Sequence, residues 1–386
     1  MLPPILKLLL AAAIIAATLA AAPSAARLAG HLRVSSDGRT LVASGGEPFY
    51  YMADTAWELV ARLTREEAVE YLDHRKAARF TVIQLAAVTC FTGAGPNIYG
   101  DRAFDGTVDR PLVTPGASPD DPAAYDYWDH TEFVIDQAAR RGMTVALTTS
   151  SAEWHAEAWL DFNSVQTGHE RDRAFPYALV EADFARSPAK PVVDFEPFYE
   201  DFAKPWGRSD ASDVRKSAYW SVFAGAFGHS YGHVAVFQMW KPQFKAWDGA
   251  RMLWRDALGA EGAGDMRHLR ALMESRPVAG RVPDQSLVID PLAGAEHIRA
   301  TRGPGYIFVY SPHGSPFTLG LKALPAARRR AWWFDPRDGH AQGIGRLPDE
   351  GPLHTFTPPS HGRGHDWILV VDDESRRYPA PGSPRS

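Results

Sequence analysis

KPVVDFEPFYE, residues Lys190 to Glu200, is the stretch whose reading decides the fold of this 386-residue chain. Its apolar run reads as a buried strand, and Pro197, which has no N–H to give to a ladder, stops that strand at once. Alternate side chains of a strand share a face, so Asp194 and Glu196 are expected to project together from its C-terminal end. In a barrel of parallel strands that end carries the chemistry. The plainer alternative is that Asp194 caps a loop while Glu196 forms a structural ion pair.

Working outward, similar runs recur with helical patterns between them. PFYYMAD, ending at Asp54, precedes the amphipathic stretch LTREEAVEYLDHRKAAR. FTVIQLAAV, from Phe80, leads into a long loop, and WDHTEFVIDQAARRG precedes MTVALTTS, which ends at Ser150. Thr64 with Glu67 forms a capping box, and Gly142 stands where a helix C-terminal cap belongs. WLDFNSVQ around Asp161, KPVVDFEP around Asp194 and HVAVFQMW around Val236 complete six candidate parallel strands between Phe49 and Trp240. VRKSAYWSVFAGAF and WRDALGAEGAGDMRHLRALMES supply further helix, the latter ending at Pro277. Strands alternating with helices specify an α/β fold with helical crossovers.

The flanks read differently. Arg33 to Phe49 alternates short apolar residues with turn residues, as a β-hairpin does. From Pro283 the pattern changes to short β runs, SLVID, GYIFVYSP, ARRRAWWFDPRDG, HTFTPP and HDWILVVDD, the spacing of a separate β-sandwich. The domains are thus a signal peptide (1–24), a barrel domain with its hairpin (33–276), the β-sandwich (283–372) and a polar, Pro-rich tail (373–386) expected to be disordered. The signal reading rests on Lys7, the apolar run Leu8 to Ala22 and the small residues after it, and an uncleaved anchor is the alternative. It implies a secreted or periplasmic location, with no membrane contact after cleavage.

Composition excludes several classes. With 41 Lys plus Arg against 46 Asp plus Glu, the net charge is -5 and no basic block offers a surface to nucleic acid. The single cysteine, Cys90, rules out an intrachain disulfide and any multi-cysteine metal cluster, and reads as a small buried hydrophobe. His229 and His233 are four apart, but the glycines at 228 and 232 argue against a helix and no acidic third ligand follows, so no metal and no cofactor is expected.

Taken in order, DTAWEL from Asp54, LTREEAVEYLDHR, WLDFNSVQTGH, KPVVDFEPFYE, VRKSAYWSVFAGAFGHSYGH, GYIFVYSPHGSPFTLGL and AWWFDPRDG resemble the apiosidase-like glycoside hydrolases of family 140, over nearly the whole chain. These are TIM-type (β/α)8 barrels that often carry a C-terminal β domain labelled collagen-binding. The resemblance implies a carbohydrate substrate, plant cell-wall or related glycans, and a retaining mechanism with Glu196 as the nucleophile. It further implies that His229, His233 and Gln238 line the pocket at the last strand.

The family's acid/base is an aspartate in a GGD motif after the fourth strand, and this chain has no such motif. Two βα units, each roughly 30 residues or more, have no room between Leu147 and Trp159. The barrel is therefore expected to lack strands four and five, leaving about six of the usual eight, either open at its edges or differently closed. Asp54 and Glu153 are the candidate acid/base substitutes, with Asp161 and Glu200 weaker ones. Ends of strand-like runs add Asp54, Gln84, Asn163, Gln166 and His169 as substrate contacts, beside Asp194 and Tyr199, with capping as the alternative. His155 and Glu157 are possible neighbours of the site. Trp57, Trp154 and Trp240 are candidates to line the pocket, whereas the pair Trp332 and Trp333 reads as one ring in the β-domain core and one on its surface. Against the hydrolase stands a different class, a non-catalytic carbohydrate- or matrix-binding degenerate barrel; a third reading takes the gap as an error or recent deletion. Oligomeric state is not encoded in any of these motifs.

Overall fold

The computed structural model describes residues 32–88, 95–121, 123–146, 154–169, 176–348 and 351–385. Cys90, Glu153 and the N-terminal signal segment lie outside them. The chain opens with a meander of three short antiparallel strands, β1 (Arg33–Val34), β2 (Leu41–Val42) and β3 (Pro48–Phe49). It then enters an all-parallel sheet: β4 (Tyr51–Thr55), β5 (Val82–Gln84), β6 (Thr144–Ala146), β7 (Asn163–Val165), β8 (Val192–Asp194) and, after a small ribbon of β9 (Ala203–Lys204) and β10 (Gly207–Arg208), β11 (Gly228–Tyr231).

The spatial order is β6-β5-β4-β11-β8-β7. From β4 the chain steps outward to β6, then returns from the opposite edge through β7 and β8 to β11, which pairs with β4. Strands β6 and β7, consecutive along the chain, are thus the two edges, and this half-barrel of six parallel strands is open between them.

Helices cover one face. After the single turn α1 (Leu59–Arg62) come α2 (Arg65–Ala77), α3 (Tyr127–Arg140), α4 (Pro176–Phe184), α5 (Ala211–Phe223), α6 (Val234–Phe237), α7 (Trp254–Ala257) and α8 (Glu261–Glu274). The capping box of Thr64 and Glu67 starts α2 as expected, and Asp126 with Asp129 and Asp210 with Asp213 start α3 and α5 in the same way, each satisfying otherwise orphaned N–H groups. The meander lies on the other face of the sheet, where Leu41 and Phe49 pack on Tyr51, Ala53, Val82 and Val193.

One strand is displaced from its expected position. HVAVFQMW is not a strand: Val234–Phe237 forms the short helix α6, capped by His233, whose Nδ1 accepts from the Ala235 N–H at 3.0 Å. The last strand is the preceding GHSY. All four apolar residues of α6 are buried, and a short run buried on every side carries no periodicity that separates helix from strand. Gly228 permits the strand, since a Cβ there would lie 2.0 Å from the Tyr51 carbonyl oxygen.

The C-terminal region is a sandwich. Its larger sheet has the order β12 (Val282–Pro283), β14 (Arg299–Gly303), β15 (Tyr306–Ser311), β20 (Trp367–Asp373), β17 (Arg329–Phe334), β18 (Ala341–Arg346); the smaller is β13 (Val288–Ile289), β16 (Phe317–Gly320), β19 (Leu353–Phe356). One face of the larger sheet, through Ile307, Val309, Trp333, Leu369 and Val371, packs on the smaller sheet. The other, through Tyr306, Phe308, Tyr310, Ile368 and Val370, packs on Tyr219 and Phe223 of α5 and Leu269 and Met273 of α8. Trp333 is the core ring, and Trp332 is half-buried on the opposite face. The tail, expected to be disordered, packs instead: the Tyr378 hydroxyl donates to the Pro304 carbonyl at 2.7 Å, and Arg276 lies 4.9 Å from its ring centroid.

Candidate active site

Parallel strands in register put matched residues on one face, and that settles which predicted residues meet. Asp54, Asp194 and His229 all point to the helix side. The Asp54 carboxylate accepts from Tyr71 at 2.5 Å and from Arg75 at 2.6 Å, both on α2 and fully buried. Burial raises its carboxyl and Arg75 opposes that rise. Asp54 is therefore a structural partner of Arg75, and the expectation that it replaces the acid/base or touches substrate is corrected.

Asp194 and Glu196 do not project together. The strand ends at Asp194, whose Oδ2 accepts from Thr167 and from Ser221 of α5, both at 2.9 Å. The next two residues bend, so strict alternation no longer applies and Glu196 turns to the open end of the sheet. Buried without a cation, the Asp194 carboxyl is pushed up to about 7. It is a buried structural group and not a substrate contact.

Glu196 stands just past the end of β8. Gln166 donates from Nε2 to its Oε2 at 2.7 Å, and His169 Nε2 lies 3.3 Å from its Oε1, with the glutamate side chain 25% exposed. Both partners come from the turn after β7, the strand beside β8. The imidazole is fixed by rings, Tyr199 at 4.3 Å and Phe202 at 4.7 Å. Gln84, in register with Thr55 on the face away from the helices, donates to the Phe195 carbonyl at 3.0 Å, while its Oε1 is buried without a partner among the described residues. Trp57 packs against Phe195 at 5.7 Å, and Trp57 and Trp240 join Tyr199 and Phe237 in an aromatic cluster. Phe195 and Phe202 were not singled out from the sequence; their only signal was their place within and just after the DFEPFYE run.

The other predicted contacts lie elsewhere. Asn163 pairs with His155, its Nδ2 2.9 Å from the ring Nδ1, on the helix side of β7. His229 is buried, its ring pushed down to about 3 by desolvation; His233, the α6 cap, is pushed down to about 4. Gln238 spends its amide on Val234, Trp247 and the Trp247 N–H. All three are buried, His229 within β11 and His233 and Gln238 at the two ends of α6. Trp154, half exposed, pairs with Trp159 at 6.1 Å.

The two weaker acid/base candidates fail on position. Glu200 faces the helices, accepting from Tyr231 at 2.6 Å and from the Gly262 N–H at 3.3 Å. Asp161 precedes β7, at the opposite end of the strand from Glu196, and Glu153 lies outside the described residues. Among the described residues no cluster of three or more His, Cys, Asp or Glu side chains is arranged to hold a metal ion.

Comparison with known proteins accords with this geometry. The family profile described as "Apiosidase-like, catalytic domain" matches residues 35–150 and 147–279, and that described as "Putative collagen-binding domain of a collagenase" matches 282–372. No curated protein matches significantly. A solved structure titled "Glycoside hydrolase" is 29% identical with a TM-score of 0.80, over 90% of this chain and 97% of its own. A family 5 glycoside hydrolase from Bacteroides vulgatus is 29% identical with a TM-score of 0.82, over 92% of this chain and 96% of its own. With its catalytic-domain match spanning the parallel sheet and its carboxylate at the C-terminal end of those strands, the chain belongs to the apiosidase-like family of glycosidase-type proteins.

Proposed function

We propose that the protein is a secreted, retaining glycoside hydrolase of the family 140 type whose nucleophile is Glu196 and whose acid/base has been lost with barrel strands four and five. The observation that carries this is the Glu196 carboxylate, held by Gln166 and His169 beside an aromatic wall at the open end of the sheet. The two segments of the catalytic-domain match meet at residues 147–150, which along the chain follow β6 and precede β7, the two edge strands, and this supports the loss of the intervening strands.

A retaining glycosidase uses a second carboxyl about 5 Å from the nucleophile to protonate the leaving oxygen. Among the described residues none is positioned for that. Glu196 attacks the anomeric carbon, the bond to the leaving oxygen breaks with its electron pair, and a glycosyl ester remains for water to hydrolyse. Without proton donation the first step runs only when the leaving group is stable as an anion, because general acid help is worth about 10²- to 10⁴-fold.

The test is release of dinitrophenolate from aryl glycosides, including the apiofuranoside, beside the corresponding unactivated oligosaccharides. The aryl glycoside is expected to turn over, azide to accelerate that turnover and appear in a glycosyl azide, and Glu196→Gln to abolish it. Turnover surviving Glu196→Gln overturns the assignment of the nucleophile. Sugar binding with no release at all establishes the second reading, a non-catalytic carbohydrate-binding barrel.

A further inference from the structure

A groove of about 310 Å³ lies on the β domain, lined by Arg330, Trp332, Asp372, Asp373, Glu374, Arg377 and Tyr378. Trp332 is half-buried there and held in place twice. Its indole lies beside the Asp372 carboxylate, and its ring packs across the strand pair on Gly343 of β18. An aromatic ring held in this way is a ready platform for the apolar face of a sugar.

The groove's charges are unequally occupied. Both Asp372 oxygens accept from Arg276, at 2.8 and 2.7 Å. Glu374 takes Arg330 at 3.1 Å and Arg346 at 2.9 Å, and Asp373 lies 3.9 Å from Arg376. Every carboxylate of the groove is thus matched to an arginine. Arg377 is exposed at the left-handed cap of the last 3₁₀ turn, φ 53°; its backbone N–H donates to the Glu374 carbonyl at 3.2 Å, while its guanidinium has no hydrogen bond or ion pair among the described residues. A spare guanidinium fork beside an aromatic platform selects a planar anion carried on a ring.

We propose that this groove is a second saccharide site that takes an acidic sugar, a uronate unit of a glycan, stacked on Trp332 with its carboxylate on Arg377. The choice of a saccharide rests on the glycosidase-type reading; the site itself does not depend on Glu196. Its function is to hold the protein on an acidic polysaccharide, an attachment that adds avidity to whatever the cleft binds.

Isothermal titration of the full chain with tetragalacturonate tests it, with cellotetraose, tetraglutamate and inorganic phosphate as controls. Tetragalacturonate is expected to bind, more weakly as salt rises, and about tenfold more weakly to Arg377→Gln, since a charge-assisted bidentate contact is lost. Trp332→Ala is expected to weaken it comparably and Trp332→Phe, which keeps a ring, less. Dinitrophenolate release from the aryl glycoside is expected to be unchanged in all three variants, so failure of the cleft chemistry and failure of this site are read separately. No binding of tetragalacturonate, equal binding by Arg377→Gln, or equal binding of tetraglutamate or phosphate each overturns the proposal.

Discussion

Burial without a cation holds the Asp194 carboxyl near 7, although Thr167 and Ser221 both donate to one of its oxygens. Between about pH 4 and 7 the folded chain keeps a proton there that the unfolded chain has released, so stability falls as pH rises through that window. The shift corresponds to about 4 kcal/mol once the pH is above 7. Asp194→Asn removes the ionisation while its amide oxygen still accepts from both hydroxyls. The variant is expected to be more stable than the wild type at pH 8 and indistinguishable from it near pH 4, measured by urea denaturation across pH. His229 has the opposite sign: its ring, pushed down to about 3, costs stability as pH falls below about 6.5 in both proteins, so it cancels in the difference. Asp54→Asn tests a different kind of group. It leaves the buried Arg75 guanidinium without its counter-charge, an expected loss of about 3–5 kcal/mol. Dinitrophenolate release per folded molecule is expected to be retained and its acceleration by azide to be no greater than in the wild type, whereas loss of a working acid/base would enlarge the azide response.

Among the elements, the link from β11 to α6 is the one that positions the site. Gly232 lies there against Tyr199, and a Cβ would sit 2.3 Å from two carbons of that ring. Tyr199 in turn contacts the His169 imidazole that reaches Glu196. Gly232→Ala must displace the ring, an overpacking cost of about 1–3 kcal/mol, and is expected to slow aryl glycoside turnover beyond the loss of folded protein, read as kcat against melting temperature. The sequence announces this region only in part. Thr64 with Glu67 marks α2 because a capping box is local chemistry, and β5 to β8 are visible as apolar runs between helices. The opposite orientations of Asp194 and Glu196 were not legible, because alternation holds only while the strand continues and this one ends at Asp194. Nor was the role of His229 and His233: whether a histidine faces cleft or helix depends on a strand start that shifted from HVAVFQMW to GHSY. Glu196 was singled out by the strand reading of DFEPFYE and given its role by the family motif, and its neighbours Gln166 and His169 were singled out by their position after β7.

At the scale of the whole molecule, the half-barrel and the sandwich share one core, and that predicts how the chain unfolds. The larger sheet of the sandwich is buried on both faces, by its own smaller sheet and by α5 and α8. Arg215 of α5 is the polar centre of the contact: it holds Asp366 of the sandwich through two bonds, at 3.1 and 2.8 Å, and Asp265 of α8 at 2.7 Å, all three nearly fully buried. Arg276, just beyond α8, holds Asp372 in the same two-pronged way. A sheet open between β6 and β7 has no ring of strands to brace it, so the helices on its outer face must be fixed by what lies behind them. The sandwich supplies that support. Loss of either part would expose Tyr219, Phe223, Leu269 and Met273 together, a contiguous apolar surface that a folded chain does not leave in water. One cooperative melt of the full chain is therefore expected, with near-ultraviolet dichroism and calorimetry giving the same midpoint. Arg215→Met, which leaves Asp265 and Asp366 buried without their cation, is expected to lower stability by about 3–5 kcal/mol and to keep a single transition. Two resolved transitions, with only one moved by Arg215→Met, would show that the sandwich folds apart from the half-barrel and that the open sheet stands without it.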